Sequence, residues 1–413
     1  MIPHGEVELN TQKYLESNIK KLYIFKFFRM FLLLMPVIVP FFNSRGLKMV
    51  DVYLLQTIFG VTCFIFEIPS GYISDLLGRK TTIIASTVLT GIGFLLFPMS
   101  SDISLLIVAE IILALAVSLF SGTDTSLIYD TLEALGKSDS QMKVLGKSLY
   151  YFSLGEAVAG LFASIFIYFS ISLDSLAIIS AVISWIPFFI ALSFVEPNRK
   201  KMDATTHIKN FKYIYKQLFK ESALLNLILL NMIFYFSATL LAVWVYQKYW
   251  QDIGIPIAYF GFLWAITNFT VSISAKYAHK FEKLVGSSLS LIIIGIIPFI
   301  GFLGISLTQT FYGFFFCLLF NICRGLGQVI FKDALNKRVT SDFRATANSI
   351  SQLGVRGVFV IIGPIFGHLI DSYSISRAAQ ISSYFYFFIF IIVMVPLLNQ
   401  RKSFLSLKNK KII

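Results

Sequence analysis

Twelve apolar stretches of about twenty residues run through this chain. They fall near 22–42, 50–74, 81–100, 103–130, 148–170, 173–195, 222–248, 257–279, 286–306, 309–332, 345–370 and 376–398. A helix rising about 1.5 Å per residue needs roughly twenty residues to cross a bilayer core about 30 Å thick. Composition agrees: 56% of the 413 residues are hydrophobic and 14% charged, where a soluble domain carries roughly 25% charged residues. A chain with 43 phenylalanines cannot hide its apolar surface from water, so lipid is its solvent. The fold class expected is an all-α integral membrane protein of twelve transmembrane helices in two six-helix halves.

The net charge of +13 would point to nucleic acid in a soluble protein. Here its placement matters more. Nearly all of the 35 Lys and Arg fall in the N-terminal segment and in every second connection, as in "GRK" (78–80), "EPNRKK" (196–201) and the tail after Gln400. The positive-inside rule then places both termini in the cytoplasm. The mixed-charge N-terminus lacks a secretory pattern, which points to direct insertion into a plasma (inner) membrane. The longest connection, 196–221, divides the stretches six and six. Phe211, Ile214, Tyr215, Leu218 and Phe219 recur there at helical spacing among lysines, the pattern of an amphipathic helix on the membrane surface. The domains expected are therefore 1–195, the linker 196–221, and 222–413 with a basic tail.

Between stretches two and three lies "EIPSGYISDLLGRK" (67–80). Gly71 permits close approach of a neighbouring helix, and Gly78 permits a tight turn. Arg79 and Lys80 hold the loop inside and are free to meet acids or helix C-termini, while Asp75 is placed to reach a basic group or a helix N-terminus. Gly71, Asp75, Gly78, Arg79 and Lys80 form a candidate latch. They match G-x-x-x-D-x-x-G-R-[RK], and the chain resembles the major facilitator superfamily over essentially its whole length. It is similar to a bacterial subgroup with "EIPSG", "SGTD…YD" (121–130) and "RAT…S" (344–349). The resemblance implies the major facilitator fold, alternating access by rocking of two halves, a latch role for the signature, and a monomer. The chain departs from drug/proton antiport members of that superfamily. "VAEIILALAV" (108–117) holds no arginine, "SLGEAVAGLFA" (153–163) holds no proline, and the Gly-Pro pair lies instead in "GPIFG" (363–367).

An ionisable group at mid-membrane costs about 2.5 kcal/mol or more, so each one asks for a reason. Asp124, in the polar cluster "SGTDTS", is the leading proton-coupling candidate, with Glu67, Glu110 and Glu156 beside it; a structural ion pair is the alternative for Asp124 and Glu67, and a hydrogen bond to a neighbouring helix for Glu156. On a continuous helix Glu110 and Asp124 would share a face. Asn321, Arg324 and Gln328 make one polar stripe in stretch ten, and Gln352 and Arg356 another in stretch eleven. These five are the substrate-binding candidates, since arginine forks suit an anionic group; the alternative is that they neutralise acids of the first half. Lys26 and Arg29 fall near the start of stretch one, where long side chains snorkel to the interface; a role in substrate binding is the alternative.

Cys63, Cys317, Cys323 and the four histidines have no metal-ligand or nucleophile–base spacing, and no phosphate-binding loop is present. No enzyme, metal, cofactor or nucleic-acid partner is expected. The function expected is secondary active transport of a small organic solute, driven by protons. Export of amphipathic cations and a non-transporting receptor of the same fold are the alternatives.

Overall fold

A computed structural model describes residues 4–197, 222–339 and 344–400. The amphipathic segment expected within 198–221 and the basic tail after Gln400 lie outside the described residues. Among the described residues, twelve helical spans are long and apolar enough to cross a membrane. Span 1 is Gln12–Ser44, span 2 Met49–Glu67, span 3 Arg79–Met99, span 4 Ile103–Ala134, span 5 Ser138–Tyr168 and span 6 Leu173–Leu192. Spans 7 to 12 are Ala223–Asp252, Ile257–Val285, Ser287–Leu307, Phe311–Asn336, Ala347–Ser372 and Ile375–Asn399. The described chain divides into two compact units. One gathers residues 4–47, 58–197 and 256–266; the other gathers 48–57, 222–255, 267–339 and 344–400.

In the first unit, spans 1 and 4 are broken where the sequence dictates. The first helix runs His4–Met30, and helical backbone resumes only at Met35 and Ile38. Pro36 lacks an N–H and its ring crowds the carbonyl four residues back, which kinks or breaks a helix. The freed Leu34 amide donates to Ser180 Oγ of span 6 at 2.9 Å, a buried bond that keeps a backbone donor from being orphaned. Span 4 breaks after Phe120 and restarts at Thr123. Gly122 holds φ +77°, a conformation easy for glycine and costly for other residues, and Thr123 Oγ1 bonds back to the Leu119 carbonyl at 2.8 Å, which competes with helix continuation. Span 5 packs so closely on span 1 that a Cβ at Gly155 would run into the Phe27 carbonyl. Leu22, Phe25, Ile83, Phe120, Leu127 and Phe194 share one apolar core of this unit.

The second unit is built around Leu225, Ile228, Met232, Phe236, Ile294, Phe331 and Met394. Span 12 widens to a π-turn over Phe390–Met394, two residues before Pro396. Asn231 Nδ2 donates to the displaced Val393 carbonyl at 3.1 Å, so the widened turn stays satisfied. The Asp371 carboxylate accepts the backbone amides of Met49 (3.0 Å) and Val50 (2.6 Å). It thereby caps the helix Met49–Leu77 with a negative charge at its positive end.

Candidate functional site

The breaks in spans 1 and 4 meet at one cluster of charge. Arg29 lies in the last turn of His4–Met30, and Asp124 in the first turn of Thr123–Ala134. Each sits at the end of its helix that favours its sign. Lys26, one turn before Arg29, forms an ion pair with Asp124. Lys26 and Arg29 are each 9% exposed and Asp124 is 8% exposed. The expectation that Lys26 and Arg29 snorkel to an interface is therefore corrected: both turn inward onto span 4. Lys26 Nζ stands 4.6 Å from the centroid of the Phe120 ring, and Arg29 Cζ 3.8 Å from it. These are cation–π distances that partly replace lost hydration. Phe152 of span 5 stands 5.8 Å from Lys26 Nζ.

The break in span 4 also corrects a geometric expectation. Glu110 is buried in the helix Ile103–Phe120, whereas Asp124 belongs to the next helix. The angular argument for a shared face does not carry across Ser121 and Gly122. Glu67 is half-buried in the helix Met49–Leu77. Glu156 is half-buried in span 5 and accepts the indole N–H of Trp264 at 3.0 Å.

The latch residues form a second polar centre of the first unit. The turn between the helices ending at Leu77 and starting at Arg79 is Gly78 alone, at φ +102°. Arg79 reaches Asp75 at 2.8 Å and Asp130 at 3.2 Å, and donates to Ser74 Oγ at 2.9 Å. Asp75 thus engages a cation one turn along its own loop. Gly71 faces open space, with nothing within 4 Å of a Cβ placed there, so the close helix approach expected at it is not made. A residue outside the motif completes the centre. The Glu196 carboxylate accepts the amides of Arg79 (2.7 Å) and Lys80 (2.6 Å), capping span 3. Asn18 exchanges two hydrogen bonds with the Val195 backbone, at 2.8 and 3.0 Å, and Lys21 Nζ donates to the Ser193 carbonyl at 2.6 Å. Segment 193–196 is thereby strapped to spans 1 and 3.

The remaining candidates lie in the second unit. Asn321 is buried and donates to the Cys317 carbonyl at 3.0 Å. Arg324 is exposed and Gln328 half-buried on the same helix; Gln352 is exposed and Arg356 half-buried in span 11. No group of three or more His, Cys, Asp or Glu able to hold a metal occurs among the described residues.

Residues 22–364 match the Major Facilitator Superfamily. The chain is similar to an uncharacterised MFS-type transporter of Bacillus subtilis (strain 168), YxaM, at 25% identity over 60% of this chain; the match spans 62% of that relative's length. Among solved structures, the nucleoside transporter NupG superposes with a TM-score of 0.72 at 14% identity, covering 95% of this chain and 99% of the other. A D-xylose-proton symporter superposes with a TM-score of 0.67, also at 14% identity, covering 90% and 97%. Likeness at such identity speaks for the fold. The relatives are transporters rather than enzymes, and with most of its length matched, the chain belongs to the major facilitator superfamily.

Proposed function

We propose that the protein is a secondary active transporter that moves a small organic solute by alternating access, coupled to protons through Asp124. The observation that carries this reading is the buried ion pair between Lys26 and Asp124 at the breaks of spans 1 and 4. Interrupted helices at membrane depth are the usual setting of substrate and coupling-ion sites. An intramembrane carboxylate is expensive unless it works. In the closed pair each charge cancels the other. Protonating Asp124 removes one of the two charges, so Lys26 loses its counter-ion and the contact loses its reason to hold. Leaving a buried charge uncompensated costs roughly 3–5 kcal/mol, enough to link proton binding to rearrangement of spans 1 and 4.

In this reading the Asp75–Arg79–Asp130 centre serves as the conformational latch, with Gly78 making its turn and Gly71 and Lys80 in the flanking helices. Glu67, Glu110 and Glu156 are further proton-handling positions. Asn321, Arg324, Gln328, Gln352 and Arg356 are the second half's contribution to solute binding, and the two halves are 1–195 and 222–413. The protein works as a monomer in a plasma membrane with both termini in the cytoplasm. The test is uptake into proteoliposomes under an imposed pH gradient. Uptake that collapses with the gradient, and in Asp124→Asn, supports the reading. Uptake indifferent to both the proton and the sodium gradient refutes the coupling.

A further inference from the structure

Lys26 accounts for Asp124, and that leaves Arg29. Its guanidinium is nine-tenths buried and carries a planar fork of N–H donors that stays charged at any ordinary pH. Among the described residues it makes one long hydrogen bond, 3.5 Å to Ser86 Oγ. That hydroxyl already donates to the Ala116 carbonyl at 2.7 Å. The carboxylate that acts on Arg29 is Asp124, whose ion pair is with Lys26. The cluster therefore holds two cations to one carboxylate. Beside it the helix Thr123–Ala134 starts at Gly122 with no side chain capping its first amides, so the positive end of that helix adds to the imbalance.

We infer that Arg29 is an oxyanion-binding residue, which takes the carboxylate or phosphate group of an organic solute at the break of span 4. The inference rests on the transport reading above and names its substrate class. A guanidinium fork meets such a group with two parallel hydrogen bonds, and the amides at the start of Thr123–Ala134 offer further donors. Phe120 and Phe152 give the body of the solute an apolar surface. A cationic solute would instead meet an excess of positive charge.

The test uses the full chain purified in detergent. Its thermal unfolding is followed against benzoate, phenyl phosphate and benzyltrimethylammonium, each matched to sodium chloride of equal ionic strength. A saturable upward shift is expected with benzoate, with phenyl phosphate or with both, and none with the cation. A response to benzoate alone assigns a carboxylate, and to phenyl phosphate alone a phosphate. Apparent affinity should fall about tenfold or more in Arg29→Gln, as loss of a charge-assisted fork implies. Arg29→Lys keeps the charge but loses the fork; it should also bind more weakly, and it decides the matter if Arg29→Gln does not fold. Lys137→Gln, which removes a cation of an exposed pair, should bind as the wild type does. Shifts no larger than those of chloride, or a shift that survives both Arg29 changes, overturn the inference. Proton-coupled uptake that is lost in Asp124→Asn would still stand in that case, so the two readings fail separately.

Discussion

At the scale of single residues, Asp124 and Lys26 were unevenly legible in the sequence. Asp124 was legible because an acid in an apolar stretch is conspicuous, and an ion pair was one of its two readings. Its partner was not legible. Lys26 lies 98 residues away in the chain, and a cation near the start of a span looks like a snorkelling residue until the tertiary fold turns it inward. The pair makes a sharp prediction for stability. Asp124→Leu should cost roughly 3–5 kcal/mol, because it strands buried cations; Lys26→Met should cost less, since Arg29 remains beside Asp124, and the double change should cost less than the sum of the two. Denaturant titration of the purified variants reads the cycle. Equal, additive losses would show that the two side chains do not act as a pair.

Helix breaks set the next scale up. Pro36 signals the interruption of span 1, but an apolar stretch carries straight through it and reads as one helix. The break at Ser121 and Gly122 is a turn of two residues inside 103–130, too short to alter an average over twenty. Gly78 and Gly122, both at positive φ, separate by their surroundings. Gly122→Ala meets only backbone strain, since nothing lies within 4 Å of the added Cβ. That should cost roughly 1–2 kcal/mol. Gly78→Ala meets strain in a region, φ +102° and ψ +155°, that is essentially glycine's alone, and also the Glu196 carboxylate, whose atoms stand 3.0–3.4 Å from the added Cβ. It should cost more than Gly122→Ala in the same titration; the reverse order would contradict the packing described at the latch.

Glu196 belongs to the same scale. The latch motif shows in the sequence, but the carboxylate that caps its helix comes from the far end of span 6, which no local pattern announces. Glu196→Ala should cost about 1 kcal/mol, as loss of an N-cap does. It should also loosen segment 193–196, raising hydrogen exchange at Val195 and at the first amides of span 3. Unchanged exchange at those amides would show that the strap carries no load.

For the whole molecule, the twelve spans were readable from hydropathy alone, because the length a bilayer demands and the apolar runs of the chain coincide. Boundaries were less so: span 1 reaches back to Gln12 through residues polar enough to mask a helix. The surroundings of the candidate binding side chains were the least readable: Arg324 and Arg356 stand out locally, whereas the shortage of partners at Arg29 shows only in the folded cluster. Reporter fusions at both ends should report a cytoplasmic location for each; an external location for either would overturn the topology read from the basic loops.

The central claim is that Asp124 ties proton movement to solute movement. It is tested most directly in proteoliposomes with a pH-sensitive dye trapped inside, using a solute first identified by its stabilisation of the purified protein. Addition of that solute should change the internal pH in vesicles of wild-type protein. In Asp124→Asn vesicles the pH change should vanish while exchange of labelled for unlabelled solute continues. A pH change of wild-type size in Asp124→Asn would contradict the account.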